Sequence, residues 1–372
     1  MICINWDGFP QYAARCVRAL VKALDGEQVI VVSRRPTVPI RGMEEICGCP
    51  VVWVDENERR SISDVCGGMP RYMCVSGWFL PLYNRWRDEV RMAGGRVSCA
   101  CDNNYVLDAL GPESHAFGIW AREQLRALRF KWYVKSKYDS FFVPGKSGRK
   151  LLRSYGVPNN MIYEGMYSAD CTLFRPGPIL SRRPRKILYV GQFIYRKNVV
   201  RLATSFMRAN EKRDWALELY GTGGLRDDLL NLERQSHNTV HVHDFLQPEE
   251  LAAKYREARL FCLPSLREHW GLVVHEAALS GCALLLGKYT GAAVDFLSDS
   301  AQGGVSLGSE GFANGLQFDP YSEESLYSAI RRGMDMSEAE MANAFSESVR
   351  LGEAHGIGLF VASILSMIRE GQ

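Results

Sequence analysis

Two glutamates, Glu268 and Glu276, are the residues of this sequence best suited to hold a polyhydroxylated ligand, and seven residues separate them. Glu268 follows an apolar run, Leu260 to Leu263, and the turn Pro264–Ser265. The pattern after Gly271 predicts a helix that contains Glu276. A carboxylate there can accept two hydrogen bonds from a ribose diol, while Glu268 can lie beside a sugar. The pair alone is equally compatible with solvated glutamates at a helix start.

The start of that helix supplies a second binding feature. The first N–H groups of a helix have no partner within it and lie at the positive end of its dipole. Those of Gly271, Leu272 and Val273 therefore suit a phosphate or a sugar hydroxyl. Gly271 has no side chain to keep such a ligand away from the backbone. The preceding strand, the Pro-Ser turn and this glycine together favour a binding function for the two glutamates.

Two adjacent cations, Arg196 and Lys197, follow the predicted strand Lys186 to Val190 and a glycine turn at Gly191. Cations at a helix start oppose the helix dipole, so a purely structural explanation is the weaker one. A diphosphate carries negative charges that these two side chains would neutralise. The segment therefore predicts a diphosphate site.

A second glycine turn, Gly221–Thr222–Gly223–Gly224, ends the predicted strand Ala216 to Tyr220. It resembles the start of the dinucleotide-binding fingerprint, but Arg226 stands where the third glycine is required. The failed spacing argues against a nicotinamide-dependent oxidoreductase. The sequence is still compatible with a glycine turn that lies close to the phosphates of a bound ligand.

The elements that would position these residues alternate between strand-like and helix-like segments, which predicts βα units and parallel sheets. The stretch 176–184 holds three prolines and a glycine, and the alternation resumes after it. We therefore expect an α/β protein of two Rossmann-like, doubly wound domains facing across a cleft. The expected bounds are 1–176 for the first domain, 177–185 for a linker and 186–350 for the second domain. A C-terminal helix in 351–372 could return to the first domain.

Composition and charge exclude several classes of protein. The chain has 372 residues, 47% of them hydrophobic, and a net charge of +3, which argues against disorder, a coiled coil or a dedicated nucleic-acid binder. No apolar run approaches the ~20 residues of a membrane span, and the start lacks a basic segment before an apolar one. We expect a cytoplasmic protein. Its eleven scattered cysteines predict reduced, packed thiols, and no Asp-x-Asp pair indicates a catalytic metal.

Basic charge concentrates between Arg122 and Arg153. Residues 1–176 carry 24 Lys+Arg against 18 Asp+Glu, and ten of those cations fall in this stretch, which has only Glu123 and Asp139 as acids. Four aromatic residues are interleaved among the cations: Trp120, Phe130, Trp132 and Tyr133. One interpretation is a solvated helix face. The other is a surface that meets anionic lipid headgroups or a phosphorylated acceptor.

Taken in order, the motifs of the second half resemble those of family 4 glycosyltransferases, which are retaining enzymes of the GT-B fold. The matching pieces are Val190–Gly191 with Lys197, Gly221–Thr222–Gly223, Val240 to Leu246 before Pro248–Glu249–Glu250–Leu251, Leu263–Pro264–Ser265, and Glu268-x7-Glu276 with Ala277 and Gly281. The resemblance covers residues 185–340 well. The first half matches more loosely, at 138–145, 155–158 and 167–174.

The resemblance implies roles for the charged residues. Arg196 and Lys197 would bind the donor diphosphate, with Gln192 standing where the family often has an arginine. Glu276 would hold the ribose. Glu268 would contact the donor sugar and help stabilise positive charge at its anomeric carbon.

The resemblance also places residues around the nucleotide and in the first domain. Phe245 and Leu246 would border the base, and Gly221 and Thr222 would lie near the phosphates. Asp7–Gly8–Phe9–Pro10–Gln11 takes the place of the family's glycine-rich first loop, which makes Gly8 a binding residue. Asp102 is a catalytic candidate because Asp102 or Asn103 takes the place of a histidine that the family often has; His115 is the nearest histidine in sequence.

The resemblance implies a retaining glycosyltransferase that needs no cofactor beyond its nucleotide diphosphate sugar donor, and the missing Asp-x-Asp pair favours a metal-independent enzyme. Its expected acceptor is a saccharide or a lipid-linked saccharide in cell-surface polysaccharide or lipopolysaccharide biosynthesis, reached from the cytoplasmic side of an anionic membrane. The alternative is a catalytically silent subunit that binds a nucleotide sugar, motivated by the absent histidine and by Gln192. Nucleic acid is not an expected partner.

Overall fold

The computed structural model describes residues 1–35, 43–103, 124–298 and 313–369. The chain forms two compact units. Among the described residues, the N-terminal unit comprises those up to Ser168 together with those from Gly356 onward. The C-terminal unit comprises Ala169–His355.

The N-terminal unit is built on a seven-stranded parallel sheet in the order β3-β2-β1-β4-β5-β6-β7. The strands are β1 Ile2–Asn5, β2 Val29–Arg34, β3 Val51–Val54, β4 Tyr72–Ser76, β5 Arg96–Ala100, β6 Ser140–Phe142 and β7 Ile162–Tyr163. Nearly every residue of the central strands is buried, because helices cover both faces of a parallel sheet.

Helices connect these strands in the right places for βα units. They are α1 Gln11–Ala23, α2 Met43–Cys47, α3 Ile62–Cys66, α4 Pro81–Met92 and α5 Lys146–Ser154. Before β6 the chain is helical over 124–129, forms a π-helix at Phe130–Val134 and then a 3-10 turn at Lys135–Lys137. The basic stretch that begins at Arg122 is thus described from residue 124 onward.

The C-terminal unit has a six-stranded parallel sheet in the order β10-β9-β8-β11-β12-β13. Its strands are β8 Lys186–Val190, β9 Ala216–Tyr220, β10 Val240–His243, β11 Leu260–Leu263, β12 Ala283–Gly287 and β13 Gly315–Phe318. Its helices are α6 Val199–Ala209, α7 Arg226–Gln235, α8 Pro248–Glu257, α9 Leu272–Leu279, α10 Ala293–Phe296, α11 Glu323–Met334 and α12 Glu338–Ala354. Both units are thus Rossmann-like, as expected.

The last helix, α13 Ile357–Arg369, packs in the N-terminal unit. The ring of Phe360 lies 5.4 Å from that of Phe142, and the Tyr72 hydroxyl donates to the sulfur of Met367. An 18-residue window within residues 338–369 has a mean hydropathy of 1.5, so this stretch could span a membrane by length and composition alone. One face of each of α12 and α13 is buried in its own unit, at residues such as Met341 and Ile364.

The boundary between the units falls at Ser168–Ala169 rather than at residue 176. The expected linker, 177–185, is packed into the C-terminal unit by the buried guanidinium of Arg183. That group donates to the carbonyl oxygens of Pro178 (2.7 Å), Ala258 (2.8 Å) and Ser280 (2.7 Å). A stretch rich in proline can therefore be a fixed part of a domain. Here one arginine donates hydrogen bonds to carbonyl oxygens of the stretch and of the segments that pack against it.

Replacing Arg183 with methionine should destabilise the C-terminal unit by about 3 kcal/mol, because the carbonyl oxygens of Pro178, Ala258 and Ser280 lose a charged donor. Urea denaturation followed by circular dichroism measures the change. Arg182→Met is the matched control, since Arg182 is exposed. Equal stability of the two variants would contradict the structural role of Arg183.

Candidate functional site

The topology of the C-terminal sheet singles out one position for a ligand. The strand order reverses between β8 and β11, and ligands of doubly wound sheets bind at the carboxyl ends of strands where this reversal occurs. The chain leaves β8 into the turn with Arg196 and Lys197, and leaves β11 into the segment with Glu268. The fold therefore brings together two predicted motifs that lie about 70 residues apart in sequence.

Lys197 and Glu268 form an ion pair at this position. Both side chains are about nine-tenths buried. Ser265 Oγ donates to the same carboxylate at 3.3 Å, and the Arg196 guanidinium lies 3.5 Å from it while donating to the carbonyl oxygen of Arg267 at 2.7 Å. Two cations thus face one carboxylate, which leaves a local excess of one positive charge for an anion.

The backbone around Glu268 is held on both sides. Its N–H donates to the carbonyl oxygen of Tyr289 and its own carbonyl accepts from Gly291, each at 3.0 Å. Helix α9 then begins after Gly271, whose φ of +90° is accessible mainly to glycine. An added side-chain carbon at Gly271 would lie 3.2 Å from Cγ of Glu268. Gly271 thus serves the turn itself, which is a more local requirement than the close ligand approach inferred from the sequence.

A cavity of about 290 Å³ lies in the same unit and contains Glu276. Seven predicted site residues line it: Gln192, Gly221, Thr222, Phe245, Leu246, Val273 and Glu276. Its other walls come from Phe174, Val190, Gly191, Tyr220, Pro248 and Leu251. The lining is mainly apolar with few polar groups, which is typical of a pocket that stacks a planar ring and orients it through those groups.

Glu276 contributes a carboxyl group to this cavity. Burial raises the pKa of its carboxyl to about 7, although the Tyr255 hydroxyl donates to Oε2 at 2.9 Å and works in the opposite direction. A carboxylate that is kept partly desolvated with a single hydrogen-bond donor has acceptor capacity left for a ligand. A perturbed carboxyl in a cavity is also a recognised mark of a functional site.

The two glycine turns that border the cavity are hydrogen-bonded to each other. Gly191 N–H donates to the carbonyl oxygen of Tyr220 at 3.1 Å, and Phe193 N–H to that of Thr222 at 2.8 Å. A side-chain carbon at Gly221 would lie 1.9 Å from the carbonyl oxygen of Gly191, so no larger residue fits. The contact between the two turns is therefore sufficient to require glycine at this position.

The N-terminal unit has its own reversal of strand order, between β1 and β4. The loop after β1 is fixed by Asp7, whose carboxylate accepts two hydrogen bonds from Arg34 (2.6 and 2.7 Å) and one from Tyr83 (2.8 Å). Burial opposes ionisation of Asp7, but these hydrogen bonds lower its pKa. Gly8 follows in the left-handed region, with φ of +62°. The loop is thus held by charge pairing.

A pocket of about 340 Å³ opens beside this loop. Asp7, Trp78, Asp102 and Tyr167 are among its lining residues. Asp102 is exposed and its carboxylate lies 3.5 Å from the Tyr167 hydroxyl. The pocket combines aromatic rings with carboxylates, a mixture suited to a sugar. His115 lies outside the described residues.

The structure sorts the predicted residues into three groups. Arg196, Lys197 and Glu268 form the ion cluster, seven others line the cavity, and Gly8 and Asp102 lie in the N-terminal unit. Leu272 begins α9. Within the described ranges, no cluster of three His, Cys, Asp or Glu side chains is arranged to hold a metal ion.

Sequence reasoning missed Tyr255 and Ser265 as partners of the two glutamates. Tyr255 lies in α8, twenty-one positions from Glu276, and no spacing links a helix residue to a site on the next helix. Ser265 is within the Pro-Ser turn already noted. Its distance of three residues from Glu268 was a usable signal, because such short spacings allow direct hydrogen bonds.

Residues 174–351 match the family model described as Glycosyl transferases group 1. The matched residues all lie within the C-terminal unit. An uncharacterised glycosyltransferase of Methanocaldococcus jannaschii is 28% identical over 216 residues, which are 53% of this chain and 55% of that protein. The matching part thus spans about half the length of the curated relatives.

Solved structures of GT-B glycosyltransferases share the fold over nearly the whole chain. Sucrose-phosphate synthase from Thermosynechococcus elongatus superposes with a TM-score of 0.72 at 16% identity, covering 99% of this chain and 98% of the other. HepE from Anabaena, solved with UDP and glucose, gives 0.69 at 13% identity and covers 99% of both chains. At these identities the likeness shows the fold.

The raised pKa of Glu276 predicts a pH-dependent stability. The folded carboxyl is protonated up to about pH 7 and the unfolded one only to its ordinary value, so this group makes the fold less stable as pH rises between the two. Glu276→Gln should therefore leave the free energy of unfolding almost unchanged at pH 5. At pH 8 it should raise that free energy by about 1–2 kcal/mol. Urea denaturation at both pH values measures this. A variant that is less stable than the wild type at pH 8 would contradict the raised pKa of Glu276.

Proposed function

We propose that this chain is a retaining glycosyltransferase that moves a sugar from a nucleoside diphosphate sugar to an acceptor hydroxyl. The observation that carries the proposal is the Lys197–Glu268 ion cluster, placed at the strand reversal of the unit that also contains the Glu276 cavity. Anion-binding cations, a carboxylate for a sugar and a carboxylate for a ribose are the three features that such a donor requires. The family match of residues 174–351 supports the same conclusion.

In this proposal the nucleoside occupies the Glu276 cavity. The base stacks between the apolar walls near Phe245 and Leu246. Both hydroxyls of the ribose diol donate hydrogen bonds to the carboxylate of Glu276. Since the diol stabilises the ionised carboxylate, binding releases a proton near pH 7 and strengthens as pH rises through that value. The Tyr255 hydroxyl keeps the carboxylate oriented.

The diphosphate lies against Arg196 and Lys197. As the bond between the anomeric carbon and the phosphate oxygen breaks, the electron pair leaves with the phosphate, and the two cations stabilise the charge that develops there. Glu268 stabilises positive charge on the sugar. The acceptor oxygen attacks from the face that the phosphate leaves, and its proton passes to that phosphate. These cations take the place of a metal ion in the proposal.

The acceptor is a saccharide, free or lipid-linked, held by the pocket of the N-terminal unit that Asp102 lines. Asp102 orients its attacking hydroxyl as a hydrogen-bond acceptor. We assign the reaction to the biosynthesis of cell-surface polysaccharide or lipopolysaccharide, carried out in the cytoplasm at the inner face of the membrane.

Hydrolysis of a panel of nucleotide sugars by the purified protein tests the proposal. UDP-glucose comes first, because the similar HepE structure contains UDP and glucose. Slow release of nucleoside diphosphate from one donor supports a transferase. Tight binding of a donor without any turnover, with or without saccharide acceptors, would instead identify the silent nucleotide-sugar-binding subunit.

Substitutions of Lys197 and of Glu268 should change the affinity for a nucleoside diphosphate in different ways. Lys197→Met removes a charge-assisted contact and should weaken binding at least tenfold, about 1.4 kcal/mol or more. Glu268→Gln keeps the shape but raises the local charge from +1 to +2, so affinity should hold or increase while turnover falls at least tenfold.

Calorimetry with the nucleoside diphosphate and hydrolysis kinetics with the sugar donor separate the two effects. Lys212→Met is the control, because Lys212 is an exposed lysine of the same unit. Equal diphosphate affinity of Lys197→Met and the wild type would remove Lys197 from the diphosphate site. Weaker diphosphate binding by Glu268→Gln would show that Glu268 contacts the diphosphate rather than the sugar.

A further inference from the structure

Exposed apolar side chains concentrate in one short segment of the N-terminal unit. Ten large hydrophobic residues are exposed among the described residues, and four of them fall within nine consecutive positions. These are Leu125 (67% exposed), Leu128 (51%), Trp132 (69%) and Tyr133 (70%). Scattered exposed apolar residues are ordinary, but a cluster of this size marks an interaction surface.

The backbone places the four side chains on one side of the segment. Leu125, Leu128 and Trp132 follow the spacing of a single helix face, three and then four residues apart. The π-helix at Phe130–Val134 widens the turn, so that Trp132 and Tyr133 are both exposed before the chain turns inward again. Phe130 faces the other way and is buried, with its ring 5.5 Å from that of Phe141. The segment is thus anchored by one aromatic residue and exposes two.

Cations flank the exposed apolar residues. Arg129, Lys131 and Lys137 are exposed on the same segment. The sequence had grouped Arg126 and Lys135 with them, but Arg126 is half-buried and Lys135 donates to the carbonyl oxygen of Gly156 at 2.8 Å. Within residues 125–137 the exposed cations are therefore Arg129, Lys131 and Lys137, and they lie on the same segment as the exposed leucine, tryptophan and tyrosine side chains.

We propose that residues 125–137 form a docking surface for an anionic lipid bilayer. Leucine and aromatic side chains enter the boundary between headgroups and acyl chains, where tryptophan and tyrosine are favoured, while neighbouring cations pair with anionic headgroups. A nucleic acid or an acidic protein would use the cations but would leave two leucines in water. The combination of both side-chain types on one face is what selects the bilayer.

The surface adjoins the pocket of the N-terminal unit. Trp78 lines that pocket, and its ring packs edge-on against Phe130, 5.0 Å between centroids. The inner side of the docking segment therefore supports the pocket wall. Docking would bring the pocket close to the headgroup layer, where the sugar part of a lipid-linked molecule is presented.

Co-sedimentation with vesicles tests the proposal. The wild type should bind vesicles of phosphatidylcholine mixed with phosphatidylglycerol, and binding to phosphatidylcholine alone should be at least about tenfold weaker. Because the Debye length shortens from about 8 Å at physiological salt to about 3 Å at 1 M, high salt should reduce the bound fraction. Equal binding to neutral and anionic vesicles, or none to either, would overturn the proposal without any use of variants.

Three variants locate the surface. The triple variant Arg129→Gln, Lys131→Gln, Lys137→Gln and the double variant Leu125→Gln, Trp132→Gln should each lower binding to anionic vesicles at least about fivefold. A triple variant of exposed cations elsewhere in the same unit, Arg18→Gln, Lys22→Gln, Arg59→Gln, makes the same change in net charge and should bind like the wild type. Loss of binding in this control, or full binding by either test variant, would overturn the assignment to residues 125–137.

Thermal unfolding followed by circular dichroism should be unchanged in all three variants, which shows that the N-terminal unit is folded in each. The lipid test is also separate from the proposed function, since vesicle binding needs no turnover and a failed donor assay leaves the lipid result to be judged alone.

Discussion

The ion pair between Lys197 and Glu268 is the interaction on which the site depends. Two charges that are about nine-tenths buried are costly to remove from water unless each compensates the other. The pair therefore fixes the segment after β8 against the segment after β11, at the point where the strand order reverses. It also sets the charge of the site, because Arg196 adds a second cation to a single carboxylate.

The neighbouring features follow from this arrangement. The turn that contains Lys197 begins at Gly191, whose backbone is hydrogen-bonded to the turn after β9, and this contact leaves no room for a side chain at Gly221. The same turns form one wall of the cavity, and Glu276 of α9 lies on another. An anion beside Lys197 and a ring in the cavity would therefore be positioned by one connected piece of backbone.

The sequence allowed most of the fold to be predicted, because parallel strands buried on both faces appear as short apolar runs such as Leu260–Leu263. It missed β7, an edge strand of two residues, and β13, an edge strand whose Gly315 and Gln317 interrupt the apolar pattern. It also placed the domain boundary at a proline-rich stretch, where Arg183 in fact satisfies the backbone. For the site, the spacing of Glu268 and Glu276 was informative, whereas the contact of Tyr255 with Glu276 depends on packing between helices that no local pattern records.

The central claim is that Glu276 receives the ribose of a nucleoside diphosphate, and a calorimetric double-mutant cycle tests it most directly. The wild type and Glu276→Gln are each titrated with the best-bound nucleoside diphosphate of the donor panel and with its 2′,3′-dideoxy analogue. If Glu276 accepts from the diol, the analogue should bind the wild type at least tenfold more weakly, about 1.4 kcal/mol, and this penalty should largely disappear in the variant. An equal penalty in both proteins would place the ribose elsewhere and contradict the account.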